Sequence, residues 1–143
     1  MGPYEPVKLG VTEQLDYEVE LGVVIGEPAK GVPELDVRRH VFGYLVANDV
    51  SARDWQFHSP TCTMGQSFDT HGPIGPFLVT ADEVPDLHKL ELRYLVNAKM
   101  RLQSNASEMI VNAWQQTAYL ATAFTLESGD PSARARRRGS AWG

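Results

Sequence analysis

Residues 15–25 alternate, with Tyr17, Val19, Leu21, Val23 and Ile25 on one side and Asp16, Glu18, Glu20 and Gly22 on the other. A side-chain period of two belongs to a β-strand, so this stretch predicts a strand with one apolar face against a core. The same alternation puts Glu18 and Glu20 on one side, roughly 6.5–7 Å apart along the strand. At an effective dielectric of about 20 their repulsion is about 2–3 kcal/mol, which a cation, a proton or open solvent has to relieve. An isolated Glu-x-Glu is also what an exposed strand face carries, and the spacing alone does not choose.

The rest of the chain supplies a scaffold for that strand. Gly26-Glu27-Pro28 ends it, and residues 33–42 read as a short helix with Leu35, Val37 and Val41 apolar and Gly43 as its stop. Tyr44-Leu45-Val46-Ala47 is a continuous apolar run, the signature of a strand buried on both faces, and it delivers Asn48 and Asp49 at its end. Ser51 reads as the cap of a rigid turn over residues 52–56, reciprocated by Asp54, which presents Arg53 and Gln56. Residues 57–76 form a binding loop rich in Gly, Pro, Ser and Thr that holds His58, Cys62, Gln66, Asp69 and His71. A strand restarts at residues 77–80. Residues 90–96 alternate again, Asn97-Ala98 turns them into residues 99–102 as a hairpin, and residues 109–124 form a helix with Ser107 as its cap. The pattern predicts a β-rich α+β domain with a few short helices.

Composition narrows the function. At 143 residues with 43% hydrophobic side chains the chain suits one domain. Cys62 is the only cysteine, which excludes an internal disulfide and leaves a thiolate zinc site without a second sulfur. No apolar run approaches the ~20 residues of a membrane span and the first residues lack the features of a secretory signal, so the expectation is a cytoplasmic protein without a membrane partner. The net charge of −5 is more negative still over the body, because Arg134, Arg136, Arg137 and Arg138 crowd the last residues. An acidic body argues against nucleic acid as a partner and suits a cation.

Asp49, at the end of a buried strand, is the third acid that gives Glu18 and Glu20 a chemical reading. Three carboxylates without His or Cys suit Mg2+ or Mn2+, with Ca2+ as an alternative, since hard cations select oxygen ligands. Magnesium keeps several waters beside its few carboxylates and so leaves positions for a chelating substrate. Asp49 equally reads as a turn cap, and Arg53 as the ion-pair partner of Asp54 or another nearby carboxylate.

Three runs carry a family resemblance: Leu15 to Leu21; Gly43-Tyr44 through Asn48-Asp49-Val50-Ser51-Ala52-Arg53-Asp54-Trp55-Gln56; and Ser67-Phe68-Asp69-Thr70-His71-Gly72-Pro73-Ile74-Gly75-Pro76. Together they resemble the fumarylacetoacetate hydrolase family, with weaker similarity through Val96-Asn97, Ser104-Asn105 and Leu126 to Asp130. The resemblance implies a mixed β-sandwich roll over residues 1–130, a homodimer, and a Mg2+ or Mn2+ enzyme acting on a small oxo acid. It implies cleavage of a carbon–carbon bond in an acylpyruvate-like or β-diketo acid through a metal-chelated enolate, or isomerisation or decarboxylation of 2-oxo dicarboxylic acids in aromatic catabolism. By the same resemblance Glu18, Glu20 and Asp49 match metal ligands, and Arg53 and Gln56 match catalytic and substrate-binding side chains. Arg53 would hold a substrate carboxylate by paired hydrogen bonds.

Two departures bear on activity. Gln66 stands at a substrate-binding position where the family carries a lysine, and a neutral amide does not replace that charge. The lid that supplies a His and Glu pair in hydrolytic members has no counterpart here, which leaves the general base to be found; His58 and His71 are candidates by type, and structural hydrogen-bonders equally. Residues 131–143 diverge into an arginine-rich stretch whose composition predicts a disordered tail, so an inactive member retaining a cation site or a dimer surface is a further reading.

Overall fold

The computed structural model describes residues 1–135. The long alternating stretch becomes two strands, β1 (Leu15–Asp16) and β2 (Val19–Ile25), broken at Tyr17 and Glu18. From Glu20 onward every residue of β2 is buried, so the strand has two covered faces rather than the one that alternation predicts. Leu21 and Val23 enter the main core with Tyr44, Leu92 and Ala113, while Val24 packs with Leu45, Ala47 and Ile74 in a second cluster. Each such aliphatic side chain contributes about 1.5–3 kcal/mol by leaving water.

The predicted helix over residues 33–42 is a 3-10 helix, Glu34–His40, which buries only Val37. Gly43 does not stop it; the glycine lies inside β3 (Val41–Asn48). A Cβ at Gly43 would meet the Val79 carbonyl oxygen at 2.3 Å, so glycine permits the close approach of the neighbouring strand β5 (Ile74–Thr80). β4 (Ser51–Ala52) pairs with β1, and α1 (Arg53–Gln56) follows it directly. Ser51 is a fully buried strand residue and not the expected cap; no side chain caps α1.

The hairpin stands as read, with β6 (Glu91–Val96) and β7 (Lys99–Asn105) joined through Asn97 and Ala98, both at positive φ (51° and 61°). That pair of angles matches the right-handed strand twist in a two-residue turn. α2 (Ala113–Ala123) starts later than the sequence suggests and takes its cap from Asn112, not Ser107. The Asn112 carboxamide accepts from the Gln115 amide at 2.8 Å and Gln115 Oε1 accepts from the Asn112 amide at 3.1 Å, a reciprocal box that fixes the first turn.

A four-stranded sheet of order β5-β3-β2-β8 forms the frame, with β6-β7 and β1-β4 as two-stranded companions. Among the described residues every ladder is antiparallel, so the β-rich α+β roll is observed without the parallel pairing that a mixed sheet would have. The last strand, β8 (Pro131–Ala135), lies at the start of the stretch whose composition predicts a disordered tail. It pairs along β2 from Val24↔Pro131 to Leu21↔Ala135. Ladder bonds are made by backbone groups, and an open edge of a core strand accepts them whatever the side-chain composition. The rest of that expected tail, from residue 136 on, lies outside the described residues.

Candidate metal centre

Antiparallel register brings the three acids together. Glu20 pairs with Ala47 and Val19 with Asn48, and the Asp49 amide donates to the Glu18 carbonyl at 2.8 Å. Cross-strand partners share a face, so Asp49, two residues beyond Ala47, emerges beside Glu18 and Glu20. One carboxylate oxygen from each of the three lies within 4.8 Å of the others. All three residues are buried, at 6%, 4% and 6% exposure, so solvent does not relieve the crowding. At that spacing, 4.8 Å, each like-charged pair repels by about 3 kcal/mol at an effective dielectric of about 20. The exposed-face reading of Glu-x-Glu therefore falls. An all-oxygen donor set of three buried carboxylates fits a hard divalent cation.

Arg53 closes one side. Its Nε–H and an Nη2–H donate to Asp16 Oδ2 at 2.8 and 2.6 Å, the other Nη2–H donates to Glu18 Oε1, and Nη1 donates to Gln56 Oε1 at 2.9 Å. Burial works against the guanidinium charge, but the bonds and charges of Glu18 and Asp16 outweigh it and hold the group above its ordinary pKa. A guanidinium has five N–H groups, and four are engaged within the protein. The fifth N–H, on Nη1, has no bond to the described residues.

Gln56 sits one turn along α1 as that acceptor. Gln66, at the end of the 3-10 turn Thr63–Gln66, donates from Nε2 to Asp49 Oδ2 at 2.8 Å, so the loop amide orients a carboxylate of the cluster. Gly65 makes this possible, since a Cβ there would meet Gln56 Cα at 2.8 Å and the Ala52 carbonyl oxygen at 2.9 Å. The expected Asp54 cap is used elsewhere: its carboxylate accepts from the Thr12 hydroxyl and from the Glu13 amide at 3.1 Å, and the Arg53 amide donates to the Gln14 carbonyl at 2.8 Å. These bonds fasten the segment before β1 to α1.

Behind the cluster, Asn48 Nδ2 donates to the Tyr94 hydroxyl at 3.1 Å and Tyr94 stacks on Tyr17 with centroids 4.4 Å apart, tying the hairpin to the strand ends. The two candidate histidines have packing roles. His71 is fully buried, stacks on Phe68 at 5.0 Å and has Nε2 3.4 Å from the Lys8 carbonyl, while His58 packs on Trp55 at 4.7 Å. Asp16, which sequence reasoning left out of the site, is 3% exposed and central to it. The signal was present: Asp16, Glu18 and Glu20 are three acids in one period-two run, not two.

Comparison with known proteins agrees with this arrangement. The family model described as "Fumarylacetoacetate (FAA) hydrolase C-terminal" matches residues 1–130. The mitochondrial oxaloacetate tautomerase fahd2 of Xenopus laevis is 39% identical over 133 residues, 91% of this chain and 42% of that protein. The 5-carboxymethyl-2-hydroxymuconate delta-isomerase of Mycobacterium smegmatis superposes with a TM-score of 0.85 at 34% identity, covering 90% of this chain and 51% of that one. The fumarylpyruvate hydrolase of Pseudomonas aeruginosa, solved with Mn2+ and pyruvate, gives 0.80 at 27% identity, covering 94% and 61%. The chain spans less than half the length of the curated relatives it matches.

Proposed function

Because this chain belongs to the fumarylacetoacetate hydrolase family, we propose that it holds Mg2+ or Mn2+ on Glu18, Glu20 and Asp49 and acts on a small oxo acid. The reaction proposed is hydrolytic cleavage of a carbon–carbon bond in an acylpyruvate-like or β-diketo acid. The observation that carries it is the convergence of three buried carboxylates from two strand ends, with Arg53 alongside. A cation bound there polarises the carbonyl oxygens of a chelating β-dicarbonyl. The protein's own part is to orient and to exclude: Gln66 fixes Asp49, Gln56 fixes Arg53, and burial keeps bulk water off the charges. The remaining Nη1–H of Arg53 would donate to one oxygen of the bound acid.

Isomerisation or decarboxylation of a 2-oxo dicarboxylic acid is the second reading, favoured by the similarity to the Mycobacterium smegmatis isomerase and the Xenopus tautomerase. A homodimer is proposed as the working form, because Phe42, Val46, Phe77, Leu78 and Val79 are exposed on β3 and the edge strand β5.

Purified protein is to be incubated with an acylpyruvate and Mn2+ while the enol absorbance is followed. Loss of absorbance that stops on chelation is expected, and Glu18→Gln weakens Mn2+ binding at least about tenfold. Folded protein that binds Mn2+ and leaves the acylpyruvate intact rules out the hydrolytic reading. Unchanged Mn2+ titration heat in Glu18→Gln rules out that ligand.

A further inference from the structure

Asp16 makes more contact with Arg53 than any ligand of the cluster does. Its Oδ2 receives two of the guanidinium N–H groups, from Nε at 2.8 Å and Nη2 at 2.6 Å, while its Oδ1 accepts the Tyr17 amide at 2.9 Å. The carboxylate is therefore pinned by the backbone on one side and grips arginine with the other. Pairing of β1 with β4 sets its position, since Asp16 lies opposite Ser51, two residues before Arg53. Asp16 is buried and Arg53 largely so, with side-chain exposures of 3% and 12%, so a charge on either needs its partner close by.

Glu18 is the competing partner. The Nε–H and Nη2–H edge of a guanidinium matches a carboxylate bidentately, and Glu18 already accepts one Nη2–H. Where a substitution removes the Asp16 carboxylate, that whole edge is open to Glu18, and the guanidinium charge then competes for a carboxylate that the cluster needs. We infer that Asp16 is a positioning residue: it supplies Arg53 with a counter-charge of its own and so keeps Glu18 available to a divalent cation. This rests on the cation reading above and adds to it a residue that acts through Arg53 without touching the ion.

The test is a double-substitution cycle on the full chain, with free Mn2+ measured by electron paramagnetic resonance and folding checked by circular dichroism. Asp16→Asn is expected to weaken Mn2+ binding about tenfold. In an Arg53→Met background the same substitution is expected to change it by less than about threefold, because the competitor is gone. Asp16→Glu, which keeps the charge, recovers most of the affinity. Equal losses in the two backgrounds, or none in either, overturn the inference. Should Asp16→Asn not fold, Arg53→Met alone decides: Mn2+ binding at least as tight as in the unsubstituted protein supports the competition, and weaker binding overturns it. An unsubstituted chain that binds no Mn2+ fails the cation reading itself and this inference with it, whereas normal binding with an indifferent Asp16 fails only the role given to Asp16.

Discussion

Asp54 stands next to Arg53 in sequence, yet the two side chains serve different ends. The Thr12 hydroxyl is the largest influence on the Asp54 carboxyl and lowers its pKa; partial desolvation opposes this, and the Glu13 amide adds to the lowering. A carboxyl depressed in the folded state adds stability above its ordinary value and loses that increment as pH falls through the folded value. Asp54→Asn should therefore lower the urea midpoint at pH 7, with the difference closing as pH falls below about 4. A pH-independent difference would assign the effect to shape rather than charge. At this scale Glu18, Glu20, Asp49, Arg53, Gln56 and Gln66, named from residue type together with the family resemblance, are joined by contacts in the structure. What the types did not show is who pairs with whom. Arg53 had several acids within reach in sequence, and only the β1–β4 ladder decides that Asp16 takes its outer edge.

Elements carry the next level of control. The Thr63–Gln66 turn packs on α1 through a glycine, and both lie beside the cluster. Gly65→Ala would press a methyl group against the Gln56 and Ala52 backbone, which does not yield as a side chain would. The expected result is a loss of about 1–3 kcal/mol in denaturant unfolding together with weaker Mn2+ binding, as Gln66 is drawn off Asp49. Stability lost without any change in Mn2+ affinity would show that the turn does not orient the cluster. Period-two patterning located β2 and the hairpin, although β2 has both faces covered where alternation predicts one. It failed at Gly43 and at the start of α2, where the deciding contacts are a close backbone approach and a cap three residues from its partner.

Across the molecule, β2 lies between β3 and β8 and contributes Glu20, with Glu18 just before it. Ending the chain after Asp130 removes the ladder on one side of β2. The shortened chain is expected to melt several degrees lower, about 2–4 °C for each kcal/mol lost, and to associate through the opened edge. Calorimetry that shows identical melting would mean that β8 is not integral. For the proposed dimer, light scattering after gel filtration should give twice the 15.8 kDa chain mass, and Phe77→Lys should shift it toward one; a monomeric unsubstituted chain would contradict the proposal. The sequence by itself determined the strand-rich class and the hairpin, which depend on local period, and it named Glu18, Glu20 and Asp49 as a candidate cluster only with the help of the family resemblance. Tertiary structure alone decided that the acids are buried together, that Asp16 takes two of the four engaged N–H groups of Arg53, and that Pro131–Ala135 lies along β2. Each of those is set by which strand lies beside which, a relation between residues far apart in the chain that no local pattern encodes.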